Sequence, residues 1–114
     1  MGADIQMMRL HNTKHEDEVG RISRNFFKAR DLEDKVFNSC DHVTYLTGGE
    51  APAHVHEDTE EVFYVIRGTG VIILNGKEIP VKAGSVVTVP PGAVHAVRNT
   101  GQDILQHVVC SAHV

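Results

Sequence analysis

The 114-residue chain has no tryptophan, and its other aromatic residues are two tyrosines and four phenylalanines. Positive charge is also scarce, since 11 Lys and Arg residues face 15 Asp and Glu residues and the net charge is −4. Nucleic-acid-binding domains rely on clustered basic residues and on aromatic side chains that stack on bases. The composition therefore argues against a nucleic-acid partner.

Long apolar runs are absent as well. No run approaches the roughly 18 residues of a membrane-spanning helix, and the first residues are polar and acidic, unlike a signal peptide. We therefore expect a cytoplasmic protein with no membrane association. The two cysteines, Cys40 and Cys110, lie 70 residues apart without a CxxC spacing, which favours two isolated thiols over a disulfide framework.

The chain length predicts one domain. From residue 41 onward, glycine and proline recur at short intervals, which leaves room for strands but hardly for helices. Asn75-Gly76 predicts a type I′ hairpin in which Leu74 pairs with Lys77. The intervening β-branched runs predict an all-β sandwich or barrel, with strands at 42–47, 61–67, 71–74, 77–81, 85–89, 94–98 and 104–110.

The beginning of the chain has a different composition, rich in charge and poor in apolar residues until Ile22. We treat residues 1–35 as a partly ordered N-terminal extension, with a frayed start and then an edge strand or short helical turn, and residues 36–114 as the barrel domain. Phe26 and Phe27 point to opposite faces of an extended strand, so we expect one of them to cover a barrel end or a partner subunit.

In contrast to the aromatic and basic residues, histidine is abundant, with eight in the chain. His54 and His56 are two residues apart, so on a strand they share a face with Cα atoms about 6.6 Å apart. A polar turn then returns a carboxylate beside them, from Glu60 or Glu61. Hydrophobicity does not decide between the two, because Phe63 and Val65 share the face of Glu61, whereas Val62, Tyr64 and Ile66 share the face of Glu60.

A later histidine, His95, follows a Pro-Pro-Gly turn at the start of a strand, where a further ligand would be held rigidly. The remaining histidines do not join this pattern. We interpret four of them as solvent-facing or hydrogen-bonded residues without an assigned role: His11, His15, His42 and His113.

These residues belong to two spaced motifs through which the chain resembles the cupins. The motif G(X)5HXH(X)3,4E(X)6G is met by Gly48, His54, His56, Glu61 and Gly68, and only Glu61 satisfies both spacings. The motif G(X)5PXG(X)2H(X)3N is met by Gly84, Pro90, Gly92, His95 and Asn99. The resemblance implies a jelly-roll barrel, or double-stranded β-helix, with one divalent metal held by His54, His56, Glu61 and His95.

Three imidazoles and one carboxylate suit Mn, Fe, Co, Ni, Cu or Zn. Octahedral coordination leaves two positions for substrate or oxygen, whereas four-coordinate zinc leaves none. Because the imidazoles bind the ion unprotonated, metal affinity is expected to fall below about pH 6.5. Asn99 and the glycines and prolines of the motifs are interpreted as turn residues.

Few basic residues fall within the predicted strands, which disfavours a phosphosugar site and favours a small, mostly apolar pocket. Tyr45, Phe63 and His107 are its candidate substrate-contact residues. The resemblance implies a metal-dependent enzyme, and the apolar wall favours dioxygenase or lyase chemistry on a small organic molecule. The alternatives are a sugar or sugar-acid isomerase and a non-catalytic ligand-binding or sensor barrel with a structural metal. A homodimer is also implied.

Overall fold

The computed structural model describes the backbone of residues 15–18, 20–28 and 37–114, and the side chains of 20–25 and 37–114. Among these residues, no helix is long and apolar enough to cross a membrane. The described part of the chain consists of strands joined by turns, and the strands are β1 (His15–Glu18), β2 (Arg21–Lys28), β3 (Phe37–Tyr45), β4 (Glu50–His54), β5 (Thr59–Arg67), β6 (Thr69–Leu74), β7 (Lys77–Lys82), β8 (Val86–Val89), β9 (His95–Arg98) and β10 (Leu105–His113).

The strands form two antiparallel sheets. The six-stranded sheet has the order β1-β2-β3-β10-β5-β8, and the four-stranded sheet has the order β4-β9-β6-β7. This arrangement confirms the predicted all-β jelly-roll fold. Strands β1 and β2 come from the segment treated as an extension and continue the six-stranded sheet beyond β3. The side chains of Phe26 and Phe27 lie outside the described residues, so their expected role stays a prediction.

The core lies between the two sheets because alternate side chains of each strand face inward. Strand β10 shows the alternation most clearly, with every second residue from Leu105 to Ser111 buried. On β5 the same alternation puts Phe63 and Val65 inside the barrel, together with Glu61. The face that begins with Glu60 points outward instead, and its apolar members Val62, Tyr64 and Ile66 are 44%, 48% and 39% exposed.

Local turn chemistry sets several strand ends. Asn75 and Gly76 both have positive φ, at 48° and 82°, and Leu74 pairs with Lys77, which confirms the predicted hairpin. Asn99 closes its turn by accepting a hydrogen bond from the Gly101 N–H. Its buried amide also donates to the carbonyl oxygens of Tyr45, Leu46 and Asp103, so one side chain ties the end of β3 to the turn before β10.

Strand β4 was not among the predicted strands. It contains Pro52, which has no N–H for a ladder, and it follows Gly48 and Gly49, which predict a turn. The proline is accommodated because β4 is an edge strand of the four-stranded sheet. The strand ends at His54, so His56 lies beyond it in the loop that leads to β5.

The two cysteines are free but not isolated, which corrects the expectation from their sequence separation. Strands β3 and β10 are neighbours, and their register places Cys40 directly opposite Cys110. The sulfur atoms are 2.8 Å apart. Strand pairing thus brings together two residues that the linear sequence separates widely.

Two glycines with positive φ differ in the space around them. Gly68 (φ 89°) joins β5 to β6, and a Cβ there would clash with the carbonyl oxygen of Ile104 and lie 2.9 Å from Leu105 Cα. Gly84 (φ 93°) has no atom within 4 Å of the corresponding position.

We expect Gly84→Ala to lower the free energy of unfolding by about 1 kcal/mol through backbone strain alone.

Gly68→Ala adds steric overlap to the same strain and should lower the free energy of unfolding by about 3 kcal/mol or more. Urea unfolding of both variants measures the difference. Equal losses in the two variants would contradict the close approach of the β5–β6 turn to the start of β10.

Candidate metal centre and cavity

Four side chains converge at one end of the barrel: His54, His56, Glu61 and His95. His54 ends β4 and His95 begins β9, and the two residues are direct partners across these antiparallel strands. Glu61 reaches them from β5 in the opposite sheet. The Gly92 N–H donates to the His56 carbonyl oxygen at 2.8 Å, which ties the His56 loop to the Pro-Pro-Gly turn before β9. The sequence motif and the fold therefore bring the same residues together.

The distances within the cluster are those of donors around a common point. One ligand atom from each residue lies within 4.8 Å of all the others. Glu61 Oε1 is 2.8 Å from His95 Nε2 and 4.0 Å from His56 Nε2. Two donors bound to one ion at about 2.1 Å can be at most about 4.2 Å apart, so the widest pair would close by about half an ångström on binding.

Backbone carbonyls fix the orientation of two of the imidazoles. His95 Nδ1–H donates to the Ala93 carbonyl at 3.0 Å, and His54 Nδ1–H donates to the Pro52 carbonyl at 2.8 Å. In the neutral ring, the proton on Nδ1 leaves a lone pair on Nε2. Both rings thus have the tautomer that a metal ligand needs, with the proton held on the nitrogen remote from the ion.

The contact between His95 and Glu61 is short and buried. His95 is 1% exposed, and its Nε2 lies 2.8 Å from Glu61 Oε1, both atoms having no other hydrogen-bond partner. A proton on Nε2, through which His95 donates to the carboxylate, or a cation bound by both atoms satisfies this contact. The metal assignment therefore depends on the convergence of all four donor atoms within 4.8 Å.

The protonation of the histidines follows from their surroundings. Partial burial and the neighbouring imidazoles of His95 and His56 lower the pKa of His54, which keeps its Nε2 lone pair available at neutral pH. Burial also lowers the pKa of His95, but the Glu61 carboxylate and the Ala93 carbonyl outweigh it, and the net shift is upward. The Glu61 carboxylate thus favours positive charge at this point, whether from a proton on His95 or from a bound cation.

A cavity of about 240 Å³ extends from this cluster along the inner face of the six-stranded sheet. His54, His56 and Glu61 line it, whereas His95 is buried behind them. All three pocket residues proposed from the sequence also line it, namely Tyr45, Phe63 and His107. The cavity therefore adjoins the candidate metal centre directly, although a role in substrate contact stays a prediction for these three.

Tyr45 and His107 form a buried hydrogen-bonded pair, with Tyr45 Oη 2.9 Å from His107 Nε2. Burial raises the pKa of Tyr45 above its ordinary value, against the opposing effect of Arg21. Burial lowers the pKa of His107 to about 3, assisted by the positive charges of His42 and Arg21. Both groups are consequently neutral at pH 7. The Phe63 ring packs edge-on against the His107 ring, with centroids 4.9 Å apart, and separates the pair from His95.

Sequence reasoning missed Arg21. It lies on β2, in the segment treated as an extension, yet it lines the cavity and hydrogen-bonds to Tyr45. Two other arginines, which fall in predicted strands, lie elsewhere: Arg67 pairs with Asp103 at 3.0 Å and Arg98 with Glu78 at 3.6 Å, on the surface. The cavity thus has one guanidinium among the described residues that line it. Only the pairing of β2 with β3, which no local pattern predicts, brings it to the cavity.

Among the other histidines, those whose side chains the structure describes do not join the cluster. His42 is partly buried on β3, and burial together with the charge of Arg24 lowers its pKa. His113 is exposed at the end of β10. The side chains of His11 and His15 lie outside the described residues.

Comparison with known proteins gives a family and a fold. The family model for the cupin domain matches residues 41–110. The chain is 39% identical over 59 residues to the oxalate-binding protein of Thermotoga maritima, covering 52% of this chain and 49% of that protein. It is 39% identical over 75 residues to auxin-binding protein 1 of Arabidopsis thaliana, covering 58% and 37%. The chain thus spans about half or less of these curated relatives.

The fold is also that of a solved structure. A predicted oxalate decarboxylase from Thermotoga maritima superposes with a TM-score of 0.87 at 22% sequence identity, covering 96% of this chain and 100% of that chain. At this level of identity the likeness concerns the fold. The two-sheet jelly roll described above is therefore shared over nearly the whole length of both chains.

The neutral state of buried His107 predicts a pH-dependent stability. Unfolded His107 takes up a proton below about pH 6.5, whereas the folded side chain resists protonation until about pH 3. Its contribution to the free energy of unfolding is thus present above pH 6.5 and falls by about 1.4 kcal/mol per pH unit between these values. His107→Gln, which keeps a polar group beside Tyr45, should remove that slope.

Urea unfolding at a series of pH values from 7 to 4 measures this effect. His113→Gln at the exposed end of β10 is the matched control and should reproduce the native pH profile. A His107→Gln profile parallel to the native one would show that His107 is protonated in the folded protein.

Proposed function

This chain belongs to the cupin domain family, and we propose that it holds one divalent transition metal and acts as a metal-dependent enzyme on a small carboxylic acid. The ligands would be His54, His56, Glu61 and His95. The observation that supports this most strongly is the convergence of one donor atom from each residue within 4.8 Å of the others. Backbone carbonyls hold the Nδ1–H of His54 and His95, so their Nε2 atoms are available to an ion.

The donor set is suited to such an ion. Three imidazole nitrogens and one carboxylate oxygen bind first-row divalent metals from Mn to Zn. When bound, the ion would supply Lewis-acid polarisation of a substrate oxygen. Because His54, His56 and Glu61 line the cavity, a substrate in the cavity would lie beside the side chains that would hold the ion.

The size of the cavity and its guanidinium support a small carboxylate as substrate, in a lining that also holds the carboxyl groups of Asp41 and Glu61. About 240 Å³ is below the range of roughly 300–1,000 Å³ found for drug-sized ligands. Among the described residues that line it, Arg21 is the one with a permanent positive charge. One guanidinium matches a carboxylate well, whereas a phosphosugar calls for more positive charge. One relative points to the same chemical class, since the Thermotoga maritima protein that is 39% identical over 59 residues is an oxalate-binding protein.

The remaining cavity residues have roles that follow from their contacts. Arg21 would hold the substrate carboxylate that does not reach the metal. Tyr45, neutral and hydrogen-bonded to His107, keeps a proton at Oη inside the cavity, where it can be donated to a substrate atom. Phe63, Val97 and Val109 form an apolar wall that limits water around the substrate. This combination favours lyase chemistry of the decarboxylating kind.

The outer face of β5 supports a second part of the proposal, a homodimer. Val62, Tyr64 and Ile66 form an apolar surface there, continued by Val86 of the neighbouring strand β8. Apolar patches of this kind are typical of protein–protein contacts. The dimer would leave the cavity accessible, because this surface lies on the opposite side of the sheet.

Metal binding is tested by removing one ligand. His95→Ala should lower the affinity for Mn²⁺, Fe²⁺, Co²⁺ or Zn²⁺ by more than a hundred-fold, because even loss of an outer-shell partner typically costs about 10–100-fold. Calorimetric titration of metal-free protein with each ion gives affinity and stoichiometry. The control is His113→Ala, an exposed histidine that should bind as the native protein does; equal affinities for the two variants would contradict the assigned ligands.

The role of Arg21 is tested by substrate binding to metal-loaded protein. Arg21→Gln should weaken binding of oxalate or another small carboxylate by about 10–100-fold, the effect of one charge-assisted hydrogen-bonded contact, while metal affinity stays within about two-fold. Arg98→Gln, which changes a surface arginine, should bind as the native protein does. An unchanged carboxylate affinity in Arg21→Gln would overturn the proposed substrate class.

The reaction class is tested on the same loaded protein. Release of CO₂ from a bound acid, without oxygen consumption, supports the lyase proposal. Oxygen uptake would indicate a dioxygenase, and isomerisation of a sugar acid would indicate an isomerase. Tight binding without turnover of any candidate acid would indicate a ligand-binding or sensor barrel.

A further inference from the structure

A pair of thiols lies on the face of the six-stranded sheet opposite the cavity. Cys40 on β3 and Cys110 on β10 are direct partners in the antiparallel register, and the register is regular at this position. Their sulfur atoms are 2.8 Å apart and the two residues are not bonded to each other. Nothing in the proposed metal chemistry uses either residue.

We propose that Cys40 and Cys110 are a covalent modification site that forms a reversible intramolecular disulfide. Directly opposed residues of an antiparallel pair have Cβ atoms about 4.5–5.5 Å apart, and a disulfide needs about 3.5–4.5 Å. The Cα separation of such a pair, about 4.5–5.5 Å, falls within the range of disulfides. The bond therefore requires only a small approach of two strands that are already hydrogen-bonded.

The two thiols differ in access, which sets the order of the reaction. Cys40 is 8% exposed, and burial, with the neighbouring thiol of Cys110 and the carboxylate of Asp41, raises the pKa of Cys40 well above its usual range. Cys110 is partly exposed and lies opposite Val62, which is itself at the surface. In the monomer, Cys110 is therefore the thiol that an oxidant in solution reaches first, and Cys40 is the resolving thiol. The proposed homodimer contact at Val62 would shield Cys110, so oxidation is expected of the monomer.

With a low-molecular-weight disulfide as oxidant, the reaction balances in two exchange steps. The Cys110 thiolate attacks one sulfur of the oxidant, forms a mixed disulfide and releases one thiol. Cys40 then loses its proton and attacks the Cys110 sulfur, forming the internal bond and releasing the second thiol. The protein loses two electrons and two protons, and the small disulfide is reduced to two thiols.

The bond would join the two strands that form part of the cavity wall. The residues flanking the cysteines on each strand face the cavity, namely Ser39 and Asp41 on β3 and Val109 and Ser111 on β10. Between the same two strands, Ser39 Oγ and Ser111 Oγ are already 3.0 Å apart. A disulfide between Cys40 and Cys110 would fix the pairing of β3 with β10 covalently. The two thiols are separate from the metal site, because they lie on the other face of the sheet.

Equilibration of the full chain in buffers of oxidised and reduced glutathione tests the proposal. Intact-mass measurement after acid quenching should show a monomer lighter by two hydrogen atoms under oxidising buffer, and thiol titration after denaturation should fall from two thiols to none. Dithiothreitol should restore both thiols. The oxidised protein should also melt about 10 °C higher, because the link closes a long loop in the unfolded chain.

Single variants separate the roles of the two residues. Cys40→Ser should accumulate a mixed disulfide of glutathione with Cys110, since the resolving thiol is absent, and should show no increase in melting temperature. Cys110→Ser should react far more slowly, since the remaining thiol is buried. Two free thiols, a lasting mixed disulfide or a disulfide between two chains as the native protein's oxidised form would each overturn the proposal.

Discussion

The contact between Glu61 and His95 is the constraint on which the candidate site depends. A carboxylate oxygen and an imidazole nitrogen lie 2.8 Å apart inside the barrel, and neither has another hydrogen-bond partner. The Ala93 carbonyl accepts from the other ring nitrogen of His95, so neutral His95 offers the carboxylate a lone pair. A positive charge, from a proton on Nε2 or from a bound cation, satisfies both atoms, and the carboxylate accordingly raises the pKa of His95.

The fold explains how this arrangement is held. His54 and His95 are fixed as register partners of two strands in one sheet, and Glu61 comes from the opposite sheet through the inward alternation of β5. The same alternation places Phe63 next to the cluster and gives the cavity its apolar wall. A site that takes ligands from both sheets depends on their packing, so the core and the metal centre support each other.

The sequence predicts those parts of the molecule that depend on local geometry. The Asn75–Gly76 hairpin and the motif glycines are set by backbone rules that operate over a few residues. The expectation that His54 and His56 share a strand face was wrong, because β4 ends at His54 and the loop after it carries His56 to the cluster. The position of Arg21 in the cavity and the contact of Cys40 with Cys110 depend instead on which strands become neighbours. Strand β4 was missed for a related reason, since a proline is tolerated only because that strand lies at a sheet edge.

The central claim is that Glu61 Oε1 and His95 Nε2 are two of the four ligands of one cation. Anomalous diffraction from crystals of protein purified without chelators, recorded above and below the absorption edge of the metal found by X-ray fluorescence, tests it directly. The account predicts one anomalous peak per chain, at about 2.0–2.3 Å from nitrogen atoms of His54, His56 and His95 and an oxygen of Glu61. A structure without such a peak, in which Glu61 and His95 make an ordinary hydrogen bond, would contradict it.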